Sequence, residues 1–97
     1  MCGLTAAGDA RVGAVVLTHN RAAEVLRTVE RLAALPECPK IVVVDNASVD
    51  DTAQRLRAAF PDITCVRLAR NVGAAGRNAG VRACDRPYIA LCDDDTW

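Results

Sequence analysis

No apolar run in this 97-residue chain approaches the ~20 residues that a membrane-spanning helix needs. The amino end has no basic stretch followed by a long apolar segment either, so neither a span nor a secretory signal is expected. A cytoplasmic setting is the default, with peripheral membrane attachment left open. Net charge is lacking as well: twelve basic and twelve acidic residues cancel, and no nucleic-acid partner is expected from that balance. Lysine is represented by Lys40 alone against eleven arginines, which with abundant alanine reads as compositional bias rather than a phosphate-binding surface. The five cysteines, Cys2, Cys38, Cys65, Cys84 and Cys92, show no CxxC spacing and sit mostly in apolar segments. They read as small buried hydrophobes in a reducing compartment. Internal repeats, low-complexity stretches and linkers are all missing, and the length allows one domain with a small core.

What remains is a regular alternation. Residues 1–11 are small and polar and are expected to form a flexible leader, and residues 12–97 form the domain. The Val-rich run 12–18 predicts a strand covered on both faces. Residues 22–35 place Val25, Leu26, Val29, Leu32, Ala33 and Leu35 at helical spacing, and Pro36 stops that helix. Residues 41–44 predict a second buried strand. A second helix is expected to open over residues 47–52, with Ser48 as N-cap, Asp50 and Asp51 in its first turn, and Leu56, Ala59 and Phe60 inward. Residues 63–68 alternate as an edge strand, 73–84 predict a third helix, and 87–92 a fourth strand. Crossovers between parallel strands are right-handed, so this βαβαβαβ order implies an α/β, Rossmann-like open parallel sheet with helices on both faces.

Three consecutive carboxylates, Asp93, Asp94 and Asp95, follow the fourth strand. Such neighbours repel by roughly 4 kcal/mol per close pair at an effective dielectric near 20, so a positive partner is required. Hard oxygen donors in a cluster suit Mg2+ or Mn2+, ions that usually complete their shell with phosphate oxygens. The other strands also end in polar groups: Thr18-His19-Asn20-Arg21, Asp45-Asn46-Ala47-Ser48 and Ala69-Arg70-Asn71. Open parallel sheets bind ligands outside these carboxyl ends, so four separate segments aim their chemistry at one rim.

The strings VVLTHNR at 15–21, VVVDNASVDDT at 42–52, NVGAAGRNAG at 71–80 and CDDDT at 92–96 occur in an order and spacing that resembles the amino-terminal, nucleotide-sugar-binding half of family 2 glycosyltransferases of the GT-A fold. The resemblance implies transfer of a sugar from a nucleoside diphosphate, UDP-, TDP- or GDP-linked, to an acceptor with inversion. It implies nucleotide contacts from Thr18, His19, Asn20, Asp45, Asn46, Arg77, Asp93 and Asp94, with Asp94 near the ribose. Asp95 and Asp93, at the place of the DxD motif, would hold the cation. Family members more often carry Tyr where this chain has His19, and an acid that accepts a bond from the uracil ring where it has Asn46. The GxGxxG dinucleotide fingerprint is absent, and Gly73, Gly76 and Gly80 are read as positions of close backbone approach.

The acceptor site and the carboxylate base of such enzymes are expected beyond residue 97. The chain is therefore expected to be a fragment, cut after the acid run, that binds a nucleotide sugar without transferring it efficiently. Alternatives are a noncatalytic nucleotide-binding module, or a Mg2+-dependent phosphoryl-transfer domain of receiver or haloacid-dehalogenase type. Both phosphoryl-transfer patterns fail locally: Thr18-His19-Asn20 stands where a receiver needs its acid pair, and Trp97 where the dehalogenase signature needs Thr or Val.

Overall fold

The computed structural model describes residues 11–36 and 39–93. Its elements are β1 (Val12–Thr18), α1 (Ala22–Ala33), β2 (Lys40–Asp45), α2 (Thr52–Ala59), β3 (Thr64–Arg67), a 3-10 turn (Gly73–Ala75), α3 (Gly76–Cys84) and β4 (Tyr88–Asp93). The strands form one parallel sheet in the order β3-β2-β1-β4. The chain therefore winds outward from β1 to β3, then crosses β2 and β1 to lay β4 on the other side.

Right-handed crossovers in both directions must put their helices on opposite faces, and the packing follows. On one face Val25, Val29 and Leu32 of α1 and Leu56 of α2 cover Ala14, Val16, Ile41 and Val43. On the other, Cys84 at the end of α3 joins Val15, Val42 and Val44. Strands β1 and β2 are thus buried on both sides, which is why they are nearly continuous Val runs rather than alternating ones. The edge strand β3 is only partly covered. Strand β4 lies at the opposite edge and leaves Tyr88 and Leu91 more than half exposed.

Helix α3 touches the sheet unusually closely. A Cβ on Gly80 would stand 2.4 Å from Val15 Cγ1 and 2.7 Å from Val44 Cγ2, and one on Gly76 would stand 2.9 Å from Leu17 Cδ1. These two glycines serve the approach of helix to sheet. Gly73 differs: its φ of +61° is a conformation that glycine adopts without a steric penalty, and nothing crowds it.

Several local expectations are corrected. The segment 73–84 is not one helix, because the left-handed Gly73 starts a 3-10 turn and the α-helix begins at Gly76. Helix α2 starts at Thr52, so Ser48 is not its N-cap and its first turn holds no acid; Asp51 takes the cap position without a side-chain cap bond. Ala59 faces solvent. Ala53 and Ala59 flank Leu56 on opposite sides of the helix, and the Ala53 side is the buried one. Helix α1 stops at Ala33, two residues before the expected end, although Leu35 still packs on the core.

Candidate functional site

Because α1 and α2 lie on one face and α3 on the other, the strand order reverses between the parallel neighbours β1 and β4, and that is where an open sheet of this kind leaves a crevice at its carboxyl ends. Asp93 closes β4 in register with Leu17, next to Thr18. The acid run therefore starts beside the β1 loop. Asp94 and Asp95 lie outside the described residues.

Of the residues singled out in the sequence, Thr18, Asp45 and Asn46 form a buried floor. They are 2%, 1% and 3% exposed, whereas His19 and Asn20 stand in solvent above them. Burial at a strand end obliges each polar group to find a partner, and here the partners are neighbouring loops. The Asp45 carboxylate turns back on its own loop and accepts the Ser48 backbone N–H at 2.9 Å, while its carbonyl accepts N–H bonds from Ala47 and Leu68, each at 2.9 Å. Asn46 donates its backbone N–H to the Thr18 carbonyl at 2.8 Å. Its own carbonyl meets His19 Nδ1 at 2.6 Å. A carbonyl only accepts, so the proton of His19 sits on Nδ1, and Nε2 is left to accept from Asn20 Nδ2 at 3.2 Å.

Two side chains bind loop to loop. Asn20, with a left-handed φ of 54°, accepts the Val49 N–H at 2.7 Å on its side-chain oxygen and donates its backbone N–H to Ser48 Oγ at 2.9 Å. The Asn46 amide reaches the other way: Oδ1 accepts the Val72 N–H at 2.9 Å and Nδ2 donates to the Gly73 carbonyl at 3.0 Å. Arg77 lies half-buried in the first turn of α3. The structure thus joins Thr18, His19, Asn20, Asp45 and Asn46 in one bonded cluster.

Ser48 is a rim residue that sequence reasoning assigned to a different task. Its hydroxyl fastens the β1 loop, and its carbonyl accepts from Arg67 Nη2 at 3.3 Å. Its place between Asn46 and Asp50 is the sort of signal that fits a cap and a loop tie equally well. A cleft of about 580 Å3 opens beside it, lined by Ala47, Ser48, Val49, Arg67, Leu68 and Ala69. It lies on the β3 side of the rim, away from the β1–β4 crevice, and no motif in the residues points to it.

Among the described residues no three His, Cys, Asp or Glu side chains converge as a cation site. The acid run begins with Asp93 at the end of β4. Carboxylate oxygens are the donor type that Mg2+ or Mn2+ takes. Among the described residues no helix is long and apolar enough to cross a membrane.

Comparison with known proteins agrees with this geometry. Residues 14–97 match the family model of glycosyl transferase family 2. The chain is 34% identical over 98 residues to the succinoglycan biosynthesis protein ExoU of Rhizobium meliloti (strain 1021), covering 97% of this chain and 29% of that protein. It is 32% identical over 93 residues to an uncharacterized glycosyltransferase, YwdF, of Bacillus subtilis (strain 168), covering 90% of this chain and 33% of the other. The chain thus spans a third or less of these relatives. Among solved structures it superposes with a TM-score of 0.69 and 26% identity on the mannosyltransferase PcManGT from Pyrobaculum calidifontis in complex with GDP-Man and Mn2+, over 88% of this chain and 27% of that one. A TM-score of 0.70 at 22% identity relates it in fold to S. aureus TarS 1–349 in complex with UDP, over 88% of this chain and 27% of that one. By the family model over residues 14–97 and by its curated relatives, this chain belongs to glycosyl transferase family 2.

Proposed function

We propose that the rim at the carboxyl ends of β1, β2 and β4 is the donor side of a glycosyltransferase and binds a nucleoside-diphosphate sugar, UDP-, TDP- or GDP-linked. The observation that carries this reading is the convergence of the β1 and β2 loops with the start of the acid run at the β1–β4 reversal. That PcManGT was solved with GDP-Man and Mn2+, and TarS with UDP, supports it.

Thr18, Asp45 and Asn46 give the site a fixed floor, and His19 and Asn20 present the groups that a ligand meets first. With its Nδ1 proton given to the Asn46 carbonyl, the His19 ring is held in one orientation, fit to lie against a base or to offer Nε2 to a ligand hydroxyl. Arg77 would balance diphosphate charge, and Asp94 would meet the ribose. Asp93 and Asp95 would hold Mg2+ or Mn2+, which supplies Lewis-acid stabilisation of the charge that builds on the departing nucleoside diphosphate. None of the rim residues is assigned to deprotonation of the acceptor. Residues 12–97 are read as the nucleotide-sugar-binding unit, and inversion as the stereochemical course.

Calorimetry with UDP, TDP, GDP and ADP, with and without Mn2+, tests the reading. Metal-dependent binding of a nucleoside diphosphate is expected. Absence of any such binding, or labelling of an aspartate by acetyl phosphate, overturns it.

A further inference from the structure

We infer that Asn46 is a positioning residue: its side-chain amide clasps the Val72–Gly73 segment to the end of β2, and it shapes the nucleotide site without reading the base. The inference rests on the nucleotide reading only for its binding consequence. The clasp itself is a matter of geometry.

Four polar groups of Asn46 are committed, the two of its backbone to the β1 end and the two of its side chain to the Val72–Gly73 segment. The backbone N–H goes to Thr18, the backbone carbonyl receives His19, Oδ1 receives Val72, and Nδ2 gives to Gly73. An amide has one further lone pair and one further N–H, yet the residue is 3% exposed, so a base would have to displace Val72 or Gly73 to use the side chain. The clasped segment is one that has few other constraints. Asn71, Val72, Gly73, Ala74 and Ala75 are all exposed, and Gly73 brings no side chain to pack. Beyond Asn46, the bond by which Gly73 N–H reaches Asn71 Oδ1 at 2.8 Å is local to the segment. Directly after it come Gly76 and Arg77, so the point at which α3 starts, and with it the place of the arginine, is tied to β2 through this amide. A Cβ on Gly76 would lie 3.5 Å from Asn46 Nδ2, which puts the amide directly beneath the helix start.

The chemistry also requires an amide. Asn46→Asp retains an acceptor for Val72 but sets a carboxylate against the Gly73 carbonyl, where two acceptors repel. Asn46→Ala removes both bonds, and the part-buried Val72 N–H and Gly73 carbonyl lose the partner that ties them to β2.

Hydrogen exchange and calorimetry on the full chain separate positioning from base reading. Asn46→Ala is expected to lower protection of the Val72 amide by roughly tenfold or more while Val16 and Val43 keep theirs, with Asn46→Asp intermediate. UDP, TDP and GDP are then expected to lose affinity together, by roughly tenfold each. In the unsubstituted protein the Asn46 side-chain NH2 resonance is expected to be protected without ligand and to respond alike to UDP and GDP; this arm stands even if a variant fails to fold. A base-selective loss of affinity with Val72 protection intact, or an Asn46 NH2 signal that shifts with one base only, overturns the inference. If the unsubstituted protein binds no nucleotide while Asn46→Ala still frees Val72, the nucleotide reading fails and the clasp stands.

Discussion

Asn20 holds Val49: its side-chain oxygen accepts the Val49 backbone N–H at 2.7 Å across the gap between the β1 and β2 loops. Asn20 does this from a left-handed backbone, and Asn is among the few residues that enter that region at modest cost. Two separate contributions therefore meet at one position, a loop tie and a tolerated φ.

Substitution at Asn20 resolves them. Asn20→Gly loses the tie but keeps the backbone freedom, and is expected to cost about 1 kcal/mol of unfolding free energy. Asn20→Ala loses the tie and adds a left-handed penalty of roughly 1–2 kcal/mol, so it is the less stable variant. Urea titration of the two checks the order; Ala equal to or more stable than Gly contradicts it.

Gly80 is the point where α3 meets β1 and β2 together, against Val15 and Val44. An added methyl collides with Val15 and Val44, both fully buried and without room to yield. Gly80→Ala should destabilise by about 1–3 kcal/mol despite the better helix propensity of alanine, which is worth only ~1 kcal/mol. A rise in thermal midpoint would show that α3 can lift away from the sheet.

Asp50 accepts from both the backbone N–H of Thr52, at 3.0 Å, and the Thr52 hydroxyl. The hydroxyl bond is the first cause of a carboxyl pKa below its ordinary value of 3.8; burial opposes it, and the Thr52 and Ala22 backbone N–H groups and Arg55 add to it. A depressed folded-state pKa favours the native state above pH 3.8, and that favour is lost as pH falls through the folded-state value. Asp50→Asn should therefore lower stability slightly at neutral pH and flatten the acid limb of the curve, so that variant and unsubstituted protein converge well below pH 3.8; the difference is small because the group is exposed. An unchanged acid limb in thermal melts from pH 6 to pH 2.5 argues against this contribution.

Burial on both faces made β1 and β2 legible as Val runs, and the reversal of their chemistry at the carboxyl ends made the rim legible too. What the residues concealed was how the rim is fastened. In the loop after β2, Asp45 and Asp50 satisfy backbone donors that a helix cap would otherwise satisfy, so a cap-like string produced a tied loop and delayed α2 to Thr52. Gly73 hid a change of helix type in the same way, since glycine within an Ala-rich stretch gives no hint of its φ. The role of Asn46 depends on which segment lies within reach of its amide, and only the crossing of β3 to β4 brings residues 72 and 73 there.

That crossing has a bearing on how the site comes into being. Gly13 pairs with Lys40, but Val12 must wait for Tyr88. Closing the longer loop costs about 1 kcal/mol more in chain entropy, and it can be repaid only once α3 has found the face of a sheet already formed. The strand that ends in Asp93 is thus expected to be the last to be seated. The floor of the rim is laid by neighbours in sequence, and the strand ending in Asp93 joins it from much farther along the chain.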